Sequence, residues 1–121
     1  MRTTAEILTG LVAALHVYFL VLEMFLWRKP FGLKTFGMTQ ERADESAALA
    51  ANQGLYNGFL AAGLVWSLIA TDPVGYRTGV FFLTCVIVAG LYGAKTVSRR
   101  ILFIQAVPAA VALVSLIASR H

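Results

Sequence analysis

Apolar residues run along this chain in four long stretches, at about 6–27, 47–70, 79–94 and 101–118, and the charged residues fall between them. A helix needs roughly 20 residues, within roughly 17–25, to cross the hydrocarbon of a bilayer. Three stretches meet that length. The third reaches it by extending to Thr96, with Lys95 snorkelling toward the headgroups. The second helix is expected to begin early. Thr39 suits an N-cap, and Glu41, Asp44 and Glu45 follow in the first turns, where negative charge is favoured. The expected helices are therefore 6–27, 40–70, 77–96 and 100–118, within a single domain of residues 1–121.

The connections are short. Thr71-Asp72-Pro73-Val74-Gly75 reads as a turn, and Thr96 to Arg100 as a tight link. Short links make consecutive helices antiparallel neighbours, so the expected fold is all-α, a transmembrane four-helix up-down-up-down bundle. The longest connection holds Pro30, Gly32 and Gly37, with Phe31, Leu33, Phe36 and Met38 around Lys34. That mixture suits a segment lying on a membrane surface.

Composition agrees with lipid as the solvent. Hydrophobic residues make up 59% of the 121 and charged residues 13%, against about 25% charged in an average soluble domain. The net charge of +4 does not point to nucleic acid, because the basic residues sit between apolar runs rather than on one polar face. Arg28, Lys29, Lys34 and Arg42 lie in the first connection and Lys95, Arg99 and Arg100 in the third, while Arg2, Arg77 and Arg120 lie at the other end. The basic excess places loops 28–45 and 96–100 in the cytoplasm and both termini outside, in a bacterial host across the inner (plasma) membrane. The first stretch is too long for a signal peptide and lacks a small-residue cleavage site, so it is expected to be retained. Cys85, the single cysteine, lies within an apolar run, has no internal partner and suits a small core residue.

The informative residues are the polar ones inside the apolar runs. His16, Leu20, Glu23 and Trp27 fall on one stripe of the first helix, with Glu23 about 7.5 Å and His16 about 18 Å inside Arg28 by helical rise. Asn52, Gln53, Tyr56 and Asn57 share an arc of about 140° on the second. Tyr92 stands near the cytoplasmic end of the third helix and Gln105 near that of the fourth, one turn before Pro108. Matching depths predict one polar chamber open toward the cytoplasm. A carboxylate at a helix centre costs about 2.5–3.5 kcal/mol on insertion scales, so Glu23 needs a partner, water or a proton. Glu23 and His16 are therefore the candidate catalytic pair, as base or anchor and proton partner. Asn52, Gln53, Tyr56, Asn57, Tyr92 and Gln105 are candidate ligand-binding residues. The plainer reading of the amides is that they join helices by hydrogen bonds, and of His16 that it is a satisfied buried imidazole. Trp27, Trp66, Tyr18 and Tyr76 fit interfacial belts or packing.

Gly54 and Gly58 form a G-x-x-x-G, extended by Ala61 and Ala62, that seats either another helix of this chain or a second subunit of a homo-oligomer. No H-E-x-x-H, paired cysteine or phosphate-binding glycine loop occurs. His16 and Glu23 lie about 10.5 Å apart along their helix, too far to chelate one metal. Ser67, Ser98, Ser115 and Ser119 have no histidine in register. The motifs name no cofactor and no reaction. The expected partners are the bilayer and a small amphipathic ligand, and proton transfer is the chemistry the titratable groups offer. An oligomeric transporter or pore subunit, and a structural partner of a larger membrane complex, are the alternatives.

The run Leu49-Ala50-Ala51-Asn52-Gln53-Gly54-Leu55-Tyr56-Asn57-Gly58-Phe59-Leu60-Ala61-Ala62-Gly63 resembles a known family. So do His16, Glu23-Met24, Val88-Ala89-Gly90-Leu91-Tyr92-Gly93 and Ile101-Leu102-Phe103-Ile104-Gln105-Ala106-Val107-Pro108. The family is the small bacterial and fungal membrane proteins of domain of unknown function 1304. The resemblance covers nearly the whole chain. It implies an integral membrane protein of four helices and supplies no reaction. Asp44 to Asn52, Tyr92-Gly93 and Arg99-Arg100 are also similar to the membrane-associated eicosanoid and glutathione metabolism proteins, four-helix trimers with a glutathione site between subunits. Leu55 stands where that family usually has an acid, and the basic residue it has before the Asn is missing, so this likeness is one of architecture.

Overall fold

A computed structural model of the chain describes residues 2–120. Met1 and His121, the two ends of the expected single domain, lie outside the described residues. The elements in order are α1 (Arg2–Met24), α2 (Pro30–Phe36), α3 (Gln40–Ile69), α4 (Val74–Thr96), a π-helical turn (Leu102–Ala106) and α5 (Val107–Ala118). No strand occurs among the described residues. Helices α1 and α4 are long and apolar enough to cross a bilayer, and Leu102–Ala118 forms a shorter apolar helix.

Helices α1 and α4 begin at Arg2 and Val74, earlier than the expected 6 and 77. Three further departures each have a local reason. First, α1 ends at Met24 rather than continuing to Trp27. Leu26 N–H bonds back to the Val21 carbonyl at 3.1 Å, widening the last turn, and the chain must leave the helical region before Pro30. Lys29 accordingly takes φ −84° and ψ 160°. Second, the first connection, expected as a segment suited to a membrane surface, contains the short helix α2. Pro30 starts it, where the missing N–H costs nothing, and Gly37 ends it at φ +61°. Met38 N–H closes onto the Leu33 carbonyl at 3.0 Å, the glycine-terminated cap that a residue with a β-carbon would strain. Third, the last helix opens with a π-helical turn. Val107 N–H reaches back to the Leu102 carbonyl. Pro108 has no N–H, and its ring blocks the Ile104 carbonyl, so an ordinary helical turn cannot form there. Thr39 caps α3 as expected, its Oγ1 accepting the Arg42 N–H at 3.2 Å.

The chain divides into two compact units. One comprises the described residues 2–14 and 60–120, the other Leu15–Phe59.

The first unit holds the apolar core. Val12, Ala13, Leu64, Leu83, Val86, Ala109 and Ala112 are buried together, contributed by α1, α3, α4 and α5. Small side chains let the helices approach closely. At Gly90 a β-carbon would lie 2.7 Å from the Ala106 nitrogen, so α4 rests directly on the π-turn backbone. At one end of this unit Asp72 gathers three partners. Its Oδ2 accepts from Arg2 at 3.1 Å and pairs with Arg120 at 3.7 Å, and its Oδ1 accepts the Tyr76 N–H at 3.1 Å. The Arg120 guanidinium also lies 4.2 Å over the Tyr76 ring.

The second unit is a helical hairpin with α2 at its corner. Trp27 fixes that corner. Its Nε1 donates to Ser46 Oγ at 3.0 Å, and its ring lies 4.8 Å from that of Phe36. The buried face of α3 here runs Ala43, Ala50, Gly54 and Asn57, spacings of seven, four and three along one stripe, and Gly54 and Asn57 in it meet α1.

Candidate functional site

Glu23 sits in the last turn of α1, where the stripe from α3 meets it. The buried Asn57 side chain donates through Nδ2 to Glu23 Oε1 at 2.6 Å. Gly54 lies one turn nearer the corner. A β-carbon at Gly54 would lie 2.7 Å from Met24 Cγ and 3.1 Å from Glu23 Cβ, and one at Gly58 2.7 Å from Leu20 Cδ1. The G-x-x-x-G motif therefore seats α1 of the same chain. The two glycines bring the helices close enough for Asn57 to reach Glu23.

Glu23 is half-buried and forms part of the wall of an open cleft of about 680 Å³. The end of α1 supplies Glu23 and Met24, and the following turn supplies Phe25, Trp27, Arg28 and Lys29. The opposite wall is α3. Gln40, Asp44, Ala47, Ala48 and Ala51 follow one another at four, three, one and three residues, along one helical face. The alanines make the room. Gln40 Nε2 donates to Asp44 Oδ1 at 3.0 Å, and Asp44 pairs with Arg28 at 3.9 Å. Both groups are largely exposed, so that pair contributes little. Lys29 makes no ion pair or hydrogen bond through its side chain among the described residues, and neither does Glu23 Oε2.

The expected site residues separate. Glu23 and Asn57 are joined. His16, on the same helix, is buried with its ring edge-on to Phe19 at 5.2 Å, and it has a further interaction, so it is not a free imidazole. Asn52, Gln53 and Tyr56 lie on the exposed side of α3, away from the buried stripe of Asn57. Tyr92 and Gln105 belong to the first unit. Tyr92 is exposed, and Gln105 lies half-buried in the π-turn with an interaction of its own. The expectation did not include Arg28, Lys29, Gln40 or the three alanines as cleft residues. The 40–44–47–48–51 spacing was the available signal. Among the described residues no three of His, Cys, Asp and Glu cluster as a metal site would require.

Comparison with known proteins gives a family and no reaction. The family model described as protein of unknown function (DUF1304) matches residues 10–117. The chain belongs to the DUF1304 family. Within it, the chain is similar to the uncharacterized protein YpaA of Lactococcus lactis subsp. lactis (strain IL1403), at 31% identity over 117 residues, 95% of this chain and 98% of that protein. No solved structure matches this DUF1304 chain. The matched residues 10–117 include the whole hairpin and its cleft.

Proposed function

We propose that this chain is an integral membrane protein of four spanning helices in up-down-up-down order that binds a small amphipathic molecule at Glu23. Loops 28–45 and 96–100 are then cytoplasmic and the termini outside. The membrane reading is supported by how little of the apolar helices is covered. Only 28% of the apolar window of α1 and 33% of that of α4 is buried, whereas the core helix of a soluble protein is mostly buried. Ile7, Leu11, Phe81 and Val88 are exposed on these helices, which suits hydrocarbon and not water.

The binding reading rests on one observation. Asn57 holds one Glu23 oxygen at 2.6 Å, and Glu23 is part of the wall of an open cleft. A carboxylate kept inside a membrane helix is expensive unless its partners are present, and such residues mark sites. Asn57 satisfies half of that need. A ligand carrying an amine or hydroxyl satisfies the rest. Met24, Phe25 and the alanines at 47, 48 and 51 offer apolar walls to its hydrocarbon part, and Arg28 and Lys29 stand where α1 gives way to the loop. Asn57 is a positioning residue, because it fixes the carboxylate. Should a reaction follow binding, Glu23 is the group able to take a proton there.

Native mass spectrometry of the protein released from mild detergent tests this. The wild type should carry a small-molecule mass that Glu23→Gln loses while remaining folded by circular dichroism. A Glu23→Gln protein that keeps the same adduct would overturn the assignment.

A further inference from the structure

The α3 hairpin segment has two faces, and only one is used within the chain. Gly54, Asn57 and Gly58 meet α1. On the other side Leu49, Asn52, Gln53, Tyr56 and Phe59 form a second stripe, spaced three, one, three and three residues. It extends about 15 Å along the helix. Leu49 is 75% exposed, Tyr56 54% and Phe59 56%, and Asn52 and Gln53 are exposed as well. Neither amide side chain makes a hydrogen bond among the described residues.

Depth makes this stripe a problem. Ser46 of α3 is level with Trp27 through their hydrogen bond, and Trp27 lies beside Arg28 and Lys29 at the loop. Asn52 and Gln53 are six and seven residues further in, about 9–10 Å along the helix. Lipid tails offer an amide no partner, and an unsatisfied polar group in hydrocarbon is costly.

We infer that a second copy of this chain covers the stripe, with Asn52 and Gln53 of the two copies hydrogen-bonded to each other across parallel α3 helices. The inference rests on the membrane reading above and is independent of what the cleft binds. Three features favour a second copy over another occupant. An amide carries both donor and acceptor, so a face bearing Asn and Gln is complementary to itself. The stripe carries no charge, and no charged residue occurs from Ser46 to Thr71, so two copies meet without repulsion. Copies inserted with the same orientation, related by a two-fold axis along the membrane normal, also bring the same amides to the same depth, which an unrelated helix would have to match by separate means. Leu49, Tyr56 and Phe59 then pack above and below the amides, as large side chains flank a polar position in a helix pair. The oligomer expected through Gly54 and Gly58 thus moves to the opposite face of α3, since those glycines are already occupied by α1.

Single cysteines test it in native membranes. On a Cys85→Ala background, Gln53→Cys should give an oxidative cross-linked dimer, and Phe81→Cys, on the exposed side of α4, should not. Asn52→Leu with Gln53→Leu should shift the native mass from two chains to one. A Gln53→Cys protein that stays in carbonate-washed membranes without cross-linking overturns this inference and leaves the cleft untouched. A doubly substituted protein that keeps its two-chain mass also overturns it. A chain absent from the membrane fraction overturns both this and the reading on which it rests.

Discussion

The two units of this protein use the same two helices for different ends. In the unit of residues 2–14 and 60–120, α1 and α3 contribute Val12, Ala13 and Leu64 to a core with α4 and α5, and among the described residues its seven core members are all apolar. In the unit of residues 15–59, the same helices meet through glycines, an amide and a carboxylate, and beside that meeting lies an open cleft. Close packing and an open cleft with polar and apolar walls are different solutions for a helix pair. The first secures the fold. The second leaves a titratable group where a small molecule can reach it.

Substitutions should separate the two. The largest effect is expected from Leu83→Ala, which empties a fully buried position in the first unit and should cost about 2–5 kcal/mol. Thermal unfolding in detergent would show it, with the cleft adduct intact at low temperature. Asn57→Leu should cost about 1–3 kcal/mol by removing the donor to Glu23, and should also lose the adduct. Equal adduct in wild type and Asn57→Leu would mean that the carboxylate needs no positioning. Thr39→Ala removes the cap of α3 and should cost about 1 kcal/mol in the same unfolding assay without affecting the adduct. Glu23→Gln should move stability least, within about 0.5 kcal/mol, because an amide oxygen still accepts from Asn57. It should nevertheless lose the ligand. That contrast between Leu83→Ala and Glu23→Gln is the comparison of the two units in measurable form.

Much of the helical order was legible from the sequence. The apolar runs marked every long helix, the turn at Asp72-Pro73 was evident, and Thr39 was identifiable as a cap. The local departures were not, because each depends on a backbone bond rather than on hydropathy. The widened turn after Val21 and the π-turn ahead of Pro108 both shift a hydrogen bond by one residue, which no periodicity records. At the site, Glu23 stood out because a carboxylate in an apolar run needs an explanation. Its partner was harder to choose. Asn52, Gln53, Tyr56 and Asn57 share one broad arc, and only the packing of Gly54 against Met24 turns Asn57 inward and the other three outward. The cleft itself escaped, since it is made by alanines, whose contribution is the space they leave.

Trp27 offers the most direct test of the central claim, because it lines the cleft and the other tryptophan, Trp66, belongs to the first unit. In a Trp66→Phe background, Trp27 emission can be followed in lipid nanodiscs as dodecylamine, an amphiphile with a hydrogen-bond donor, is added. Occupancy of the cleft through Glu23 predicts a saturable change that Glu23→Gln removes. A response of the same size and shape in both proteins, rising without saturation, would contradict binding at Glu23.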